Sequence, residues 1–363
     1  MNREFYSTRS KRPFFAADVV KKSCSAILFL FWIFAGHTQD LHFSQWFQTP
    51  LNTNPANTGF IPEADYRIGA NFRDQGAVIM TNPYRTFGIW GDAQLLRNQL
   101  PSGWLGVGGT IWRDAAGAGS LTSTKAYGSI AYHQMLGYEH LLSAGFSAGW
   151  NNKRIDPTNL IFPDQFLGDS YKKTNPTSAW NNTDFTNSLS YFDMQAGINY
   201  AYFPTNKIYI NGGVSVWHLN RARESFFKAD PPDYDSRLLM RWNGFVNASI
   251  KVDENWIINP MAYYSRVADR YELVGGLNVQ YNLSENGEKQ LIGGLYSRWG
   301  DAIVPMIGFE MNNIRFSFSY DATVSGLSQY NNTRGALEFS VLRNGFYDIY
   351  DGDRKQSLCP NFK

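Results

Sequence analysis

Cysteine is nearly missing from this chain of 363 residues, with only Cys24 and Cys359 present. Cys24 lies ahead of the apolar run Ala26 to Phe34, whereas a bacterial lipoprotein cysteine follows such a run, so lipid attachment there is not expected. Long apolar runs are missing as well. Ala26 to Phe34 falls well short of the roughly 20 residues that a helix needs to cross a bilayer, and no later stretch is longer, so no transmembrane helix is expected. Neither sign of charge dominates, with 33 Lys+Arg against 31 Asp+Glu. Histidine is sparse: His37, His42, His133, His140 and His218 contain no i, i+4 pair of the kind that binds zinc from one helix face, so metal catalysis has no support.

The N-terminus does carry a pattern. Arg3, Arg9, Lys11, Arg12, Lys21 and Lys22 precede the apolar run, and Ala35-Gly36-His37-Thr38 follows it, which is the layout of a secretory leader spanning residues 1–38. Its removal takes away six basic and two acidic residues, leaving 27 Lys+Arg against 29 Asp+Glu, a balance of about −2. Nucleic-acid binding then loses its electrostatic basis. Cys359 becomes the only thiol, so no intramolecular disulfide can form, and stability has to come from sheet pairing and packing.

What fills the mature chain is a two-residue period. Phe192, Met194, Ala196, Ile198, Tyr200 and Tyr202 fall on one face of an extended segment, and Asp193, Gln195, Gly197 and Asn199 on the other. The same alternation recurs over Leu142 to Trp150, Ile208 to Val216, Tyr271 to Tyr281 and Ile314 to Tyr320. It predicts about fourteen strands, near 66–73, 84–95, 104–113, 121–133, 139–150, 190–202, 206–217, 237–250, 255–265, 269–282, 288–298, 301–312, 313–321 and 333–342. A β-sandwich or jelly roll also alternates, but it turns charged residues toward bulk water. The polar faces here are rich in Gly, Ser, Asn and Gln, as a barrel lumen requires, and the apolar faces carry no Lys or Arg.

Aromatic residues make up 16% of the chain, enough for interfacial girdles. The fold class expected is therefore all-β: a transmembrane antiparallel up-and-down β-barrel of the outer membrane, with lipid outside it. Loop parity agrees. Pro204-Thr205-Asn206, 251–254, 283–287 and Asn312-Asn313 are short, even-numbered connections, whereas 151–189, 218–236 and 322–332 are long and odd-numbered. Long connections then lie outside the cell and both termini in the periplasm. The domain plan expected is a leader (1–38), an N-terminal periplasmic or plug segment (39–65), the barrel (66–342) and a periplasmic tail (343–363).

Sites with chemistry are few. Gly145-Phe146-Ser147-Ala148-Gly149 matches the G-x-S-x-G elbow, but that motif needs a sharp strand-to-helix turn, and here it sits inside an alternating strand. Asp230, Asp233 and Asp235, like Asp348, Asp351 and Asp353, lack the spacing of a calcium loop and are expected to be solvated acidic segments. Gly106, Gly108 and Gly109 open no helix; they let the wall bend or let something approach it closely. No cofactor is expected. The four Asn-x-Ser/Thr sequons follow from composition.

After the leader the chain reads Gln39-Asp40-Leu41-His42-Phe43-Ser44-Gln45-Trp46-Phe47, then Asn54-Pro55-Ala56-Asn57-Thr58-Gly59, Tyr66-Arg67 and Asn71-Phe72-Arg73-Asp74-Gln75. This strongly resembles the start of the PorP/SprF family of Bacteroidetes outer-membrane proteins, with Trp46 at the place of a commoner aromatic. The resemblance continues through Asp114 to Thr124, Ile155-Asp156, Asp164-Gln165-Phe166, Val216 to Asn220 and Glu224-Ser225-Phe226. It ends at Cys359-Pro360-Asn361-Phe362, where Asn replaces a basic residue.

The resemblance implies a type IX secretion component that is not an enzyme. Its partners would be one large exported surface protein, such as an adhesin of gliding motility, and periplasmic or peptidoglycan-linked parts of the machine. Candidate partner-contact or plug residues are His42, Phe43, Trp46, Phe47, Asn54 and Pro55 before the first strand, and Phe346, Tyr347 and Tyr350 after the last; burial of aromatic side chains is what would bind a partner. Two other functions stay open on sequence: a general diffusion channel, and an enzyme built on the barrel wall.

Overall fold

The computed structural model describes residues 43–62, 64–77, 79–97, 99–117, 119–156, 160–168, 170–172, 185–228, 235–284 and 287–347. The expected leader, His42, Tyr350, Cys359 and the aspartates at 230, 233, 348, 351 and 353 lie outside them. Fourteen strands close into one antiparallel barrel. In chain order they are β1 (Tyr66–Gln75), β2 (Tyr84–Leu95), β3 (Gly103–Ala116), β4 (Leu121–Met135), β5 (His140–Arg154), β8 (Ser188–Thr205), β9 (Ile208–Trp217), β10 (Arg241–Lys251), β11 (Trp256–Val267), β12 (Arg270–Asn282), β13 (Lys289–Arg298), β14 (Ala302–Met311), β15 (Ile314–Thr323) and β16 (Arg334–Gly345). The two-residue strands β6 (Phe166–Leu167) and β7 (Ser170–Tyr171) form a small hairpin in the connection between β5 and β8. Each wall strand pairs with its chain neighbour, and β1 meets β16 in register from Tyr66↔Gly345 to Gln75↔Ala336, which removes any free edge.

The pleat decides which residues face lipid. In β8, Phe192, Ile198 and Tyr200 are 49%, 54% and 45% exposed, while Asp193, Gln195 and Asn199 are at most 4% exposed. A lipid-facing barrel requires this sorting, because its outward side chains replace no water contacts and its polar ones must find partners inside. Outward-facing aromatics form two belts. Trp150, Phe192, Trp242 and Tyr271 mark one end of the wall, and Tyr132, Tyr200 and Trp256 the other. Inside the barrel the faces are not uniformly polar. One buried apolar cluster joins Phe245, Met261, Tyr263, Val274, Ile292, Tyr296 and Val304; another joins Trp104, Met135, Leu141, Phe203 and Tyr209.

The three longest connections, 155–187, 218–240 and 324–333, all leave the same end of the barrel. We call it the long-loop end. The opposite, short-turn end carries turns such as Asn312-Asn313, where both residues adopt left-handed backbone (φ 51° and 65°), as a two-residue type I′ hairpin turn demands. Most strand ends shift by a few residues from those expected, and two of the shifts have a local cause. Pro204 and Thr205 belong to β8 and not to a turn, because the strand accommodates the proline at a register shift between Tyr202 and Thr205. β10 starts at Arg241 and not at residue 237, since the preceding residues pair within the loop: Arg223 bridges Arg237, and Leu238 donates its amide to Ala222.

Candidate functional site

Residues 43–62 lie within the barrel, and the polar lumen faces are spent on holding them. Locally the segment is compact. Short helical turns at Trp46–Gln48, Pro50–Thr53 and Pro55–Asn57 satisfy backbone groups within it. Pro50 and Pro55 occupy first helical positions, where a missing N–H costs nothing. The Asn54 carboxamide oxygen caps the last turn by accepting the Ala56 amide at 2.8 Å.

At the long-loop end Ser44 sits inside a buried cluster of four charges. Arg73 pairs with Asp321 at 2.9 Å and with Glu338, and Arg298 pairs with Asp321. Ser44 Oγ donates to Asp321 at 2.8 Å and accepts from Arg73 at 3.1 Å and Arg298 at 2.7 Å. Glu338 accepts the amides of Ser44 and Gln45 at 2.7 and 2.9 Å. Two arginines and two carboxylates balance formally, which is the condition under which burying four charges is tolerable. The Gln45 carboxamide is read by three serines of the wall: it donates to Ser319 at 2.9 Å and accepts from Ser317 and Ser340 at 2.9 and 2.6 Å.

Next along the segment, Trp46 stacks on Tyr263 (centroids 5.4 Å apart, planes at 26°) and abuts Phe245, while Phe47 stacks on Tyr296 at 5.2 Å. Phe43 packs on Trp112 at 5.0 Å. The polar alternation of the wall is interrupted where these rings need apolar neighbours.

Glycines make room for the middle of the segment. A Cβ at Gly106 would lie 1.9 Å from the Thr58 carbonyl oxygen; one at Gly145 would lie 2.4 Å from the Pro55 carbonyl carbon, and one at Gly197 2.0 Å from the Asn54 side-chain oxygen. The third-strand glycines are thereby explained: Gly106 and Gly108 are close-approach positions, whereas a side chain at Gly109 would meet only the Tyr127 carbonyl at 3.2 Å. Asn54 also donates to the wall carbonyls of Ile198 at 2.9 Å and Val214 at 3.2 Å, and Asn199 donates to the Asn57 side chain at 2.8 Å.

Toward the short-turn end, buried Asp92 holds Arg67 through two bonds of 2.8 and 3.0 Å and accepts the Gly59 amide at 2.7 Å. Trp104 donates to the Gly59 carbonyl at 2.9 Å. Gln94 donates its side chain to the Ile61 carbonyl at 2.6 Å and its amide to the Asp65 carbonyl at 2.8 Å. At the rim, Asp65 accepts the Tyr347 amide at 2.9 Å, and Tyr347 donates its hydroxyl to the Gln94 carbonyl at 3.0 Å. Burial, with Asp65 and Tyr66 nearby, raises the Tyr347 phenol above its ordinary range.

The candidate residues are thus placed in two groups. Phe43, Trp46, Phe47, Asn54 and Pro55 are in the lumen, where the three rings and Asn54 touch the wall directly and Pro55 lies against Gly145. Phe346 and Tyr347 are at the short-turn rim and partly exposed. Parity assigns Asp40 to Gly59 to the side of the short turns, yet Phe43 and Ser44 stand at the long-loop end. Parity counts strand crossings only and carries no term for a segment that crosses inside the barrel. The partners Arg73, Asp92, Arg298, Asp321 and Glu338 escape a single-sequence reading. As isolated charges on alternating strands they look like any lumen lining, and only the fold brings them together.

Chemistry capable of catalysis is not assembled among the described residues. Ser147 lies in uninterrupted β5, donates to the Gly128 carbonyl at 3.1 Å, and borders a space of about 10 Å³, the lower limit for one water. His133 and Ser143 do face each other at 2.7 Å, but both are buried. The other ring nitrogen of His133 lies 2.8 Å from the Thr58 carbonyl. That carbonyl can only accept, so Nε2 carries the proton and Nδ1 accepts from the serine; the histidine fastens the segment to the wall.

No curated protein matches the chain. The solved structures it resembles are outer-membrane barrels of remote sequence. The deltaS2 mutant of the monoaromatic hydrocarbon channel TodX is 10% identical, with 83% of this chain and 94% of that one covered and a TM-score of 0.51. The Pseudomonas putida toluene transporter TodX gives 10%, the same coverage and 0.49; the Ralstonia pickettii toluene transporter TbuX gives 11%, the same coverage and 0.48. At 10% identity the deltaS2 TodX structure speaks for the barrel alone. The sequence model of the family described as type IX secretion system membrane protein PorP/SprF matches residues 35–342, nearly the whole wall and the segment inside it. The chain is therefore a member of the PorP/SprF family, an outer-membrane β-barrel of the type IX secretion system.

Proposed function

We propose that this barrel is a non-enzymatic platform of the type IX secretion and gliding machinery, supporting the export or surface anchoring of one large adhesin-like protein. On this reading residues 1–38 are a leader removed on export. The long connections face the cell exterior and engage the exported protein, while residues 343–363 face the periplasm and engage secretion components linked to the ring or to peptidoglycan. Family membership supplies the machine. The observation that carries the rest is the occupied lumen: a segment anchored from Ser44 at one end to Asp65 at the other by wall side chains suits a plug and leaves a diffusion channel little to conduct through. Aromatic side chains at the rim, Phe346 and Tyr347, offer the burial that a periplasmic partner needs.

The test is deletion of the gene followed by proteomics of the cell surface. Loss of one large adhesin with bulk secretion intact is the expected result; an unchanged surface sinks the proposal. Ion conductance by the purified wild-type protein in planar bilayers would favour the diffusion channel in its place.

A further inference from the structure

The outer face of the wall carries a groove of about 380 Å³ across β5, β8, β9 and β10. That size falls among ligand pockets, which span about 300–1,000 Å³. Leu142, Ile198, Tyr200 and Val214, each 43–54% exposed, form its sides, and Gly212 and Gly244 leave its floor bare. Asn199 and Phe245 add only backbone, since their side chains turn inward to Asn57 and Trp46. The two glycines differ in cause. A Cβ at Gly212 would crowd the Phe245 carbonyl oxygen at 3.0 Å, so the wall itself asks for glycine there. A Cβ at Gly244 would come no closer than 3.9 Å to any atom beyond its chain neighbours. Packing of the chain does not require that bare position, although the outward band of a membrane barrel favours large apolar side chains.

The groove begins at Tyr200, in the aromatic belt of the short-turn end, and rises past Gly212 to Val214 and its cross-strand neighbour Gly244. On the short-turn side of Tyr200, His140 Nδ1 lies 2.6 Å from the Tyr200 hydroxyl, and the His140 ring stacks on Tyr202 (centroids 4.8 Å apart, planes at 13°). Hydrogen-bonding groups at headgroup level thus stand at the foot of an apolar furrow. We propose that the groove binds one phospholipid of the leaflet at the short-turn end, with an acyl chain against Gly212 and Gly244 and the headgroup beside His140 and Tyr202. Lipid tails are as apolar as leucine, so exclusion from water does not hold the chain there. Shape does: a concave floor gives the chain dispersion contacts on more than one side, which a flat wall lacks. Ile198 and Val214 accept Asn54 from the lumen side, so the bound chain lies one layer of backbone from an anchor of the lumen segment. The proposal rests on the orientation given above, which puts the short turns in the periplasm and therefore phospholipid, not lipopolysaccharide, in that leaflet.

Native mass spectrometry of the barrel extracted from its own outer membrane tests the site. The wild type is expected to keep one phospholipid through exchange into a second detergent. Gly244→Leu puts a side chain on the floor of the groove, and is expected to lose that lipid while still migrating as a folded barrel in unheated gels. Gly275→Leu is the control. It sits on the outer face of β12 between exposed Leu273 and Leu277, where a Cβ meets nothing within 4 Å, and it should fold and keep the lipid. In the unaltered protein, a phospholipid with a photoactivatable acyl chain is expected to crosslink to β8 and β9 in excess over β12 and β13, which tests the site even if Gly244→Leu fails to fold. A wild type that keeps no lipid, equal retention by the two folded glycine variants, or crosslinks spread evenly round the barrel overturns the site. If the lipid that Gly244→Leu displaces is lipopolysaccharide, the orientation fails, and the phospholipid assignment with it.

Discussion

Glu338 on the last strand accepts the backbone amide of Ser44, 294 residues earlier, at 2.7 Å. The same carboxylate faces Arg73, so its loss leaves a buried guanidinium with one anionic partner fewer. Removing one member of such a buried pair typically costs about 3–5 kcal/mol. Glu338→Ala is expected to lower the urea midpoint of the barrel refolded in lipid accordingly, and Glu338→Gln, which keeps an acceptor oxygen, to lower it less. An unchanged midpoint for Glu338→Ala would mean that the cluster does not hold the fold.

Gly106 tests the segment from the wall side. A β-branched side chain there meets the Thr58 carbonyl oxygen, so Gly106→Val is expected to push the segment off the wall and raise single-channel current in planar bilayers. Deletion of residues 43–62 should raise it further. Gly128→Ala is the control, since a Cβ at Gly128 meets nothing within 4 Å. Equal currents from all these variants and the wild type would dissociate the segment from occlusion.

Ile198 and Asn199 are neighbours in sequence on opposite faces of β8. An arginine on the lipid face near the midplane costs about 2–4 kcal/mol, whereas Asn199→Ala removes one buried hydrogen bond to Asn57, a loss of about 0.5–1.5 kcal/mol. Folding into liposomes should accordingly be impaired much more by Ile198→Arg than by Asn199→Ala. The reverse ranking would put the apolar stripe on the wrong side of the wall.

Ser147→Ala separates packing from catalysis. Only the bond to the Gly128 carbonyl is lost, for about 0.5–1.5 kcal/mol of stability. Surface display of the exported protein should be unaffected; a folded Ser147→Ala barrel that fails in display would reopen the elbow motif.

The wall is legible in the sequence because lipid enforces the period of two: a one-residue slip of β8 would turn Asp193, Gln195 and Asn199 into hydrocarbon and Phe192, Ile198 and Tyr200 into the lumen. Strand ends are less legible, as at Pro204, where a bulge absorbs what looks like a turn, and before Arg241, where loop residues pair with one another. The lumen was legible only in outline. Gly106 and Gly108 announce that something comes close without saying what. The pairing of Ser44 and Gln45 with Asp321, Ser317 and Glu338 has no local signature, since hydrogen bonds spanning well over two hundred residues are set by barrel closure.

The seam between β1 and β16 joins the first wall strand to the last. The segment ahead of β1 is made first, yet Asp321 and Glu338, which take up its polar groups, are among the last residues made. The seam brings Glu338, which binds the amides of Ser44 and Gln45, beside Arg73. Closing the seam thus completes the pocket that holds the segment, with Arg73 supplied by the first wall strand and Glu338 by the last.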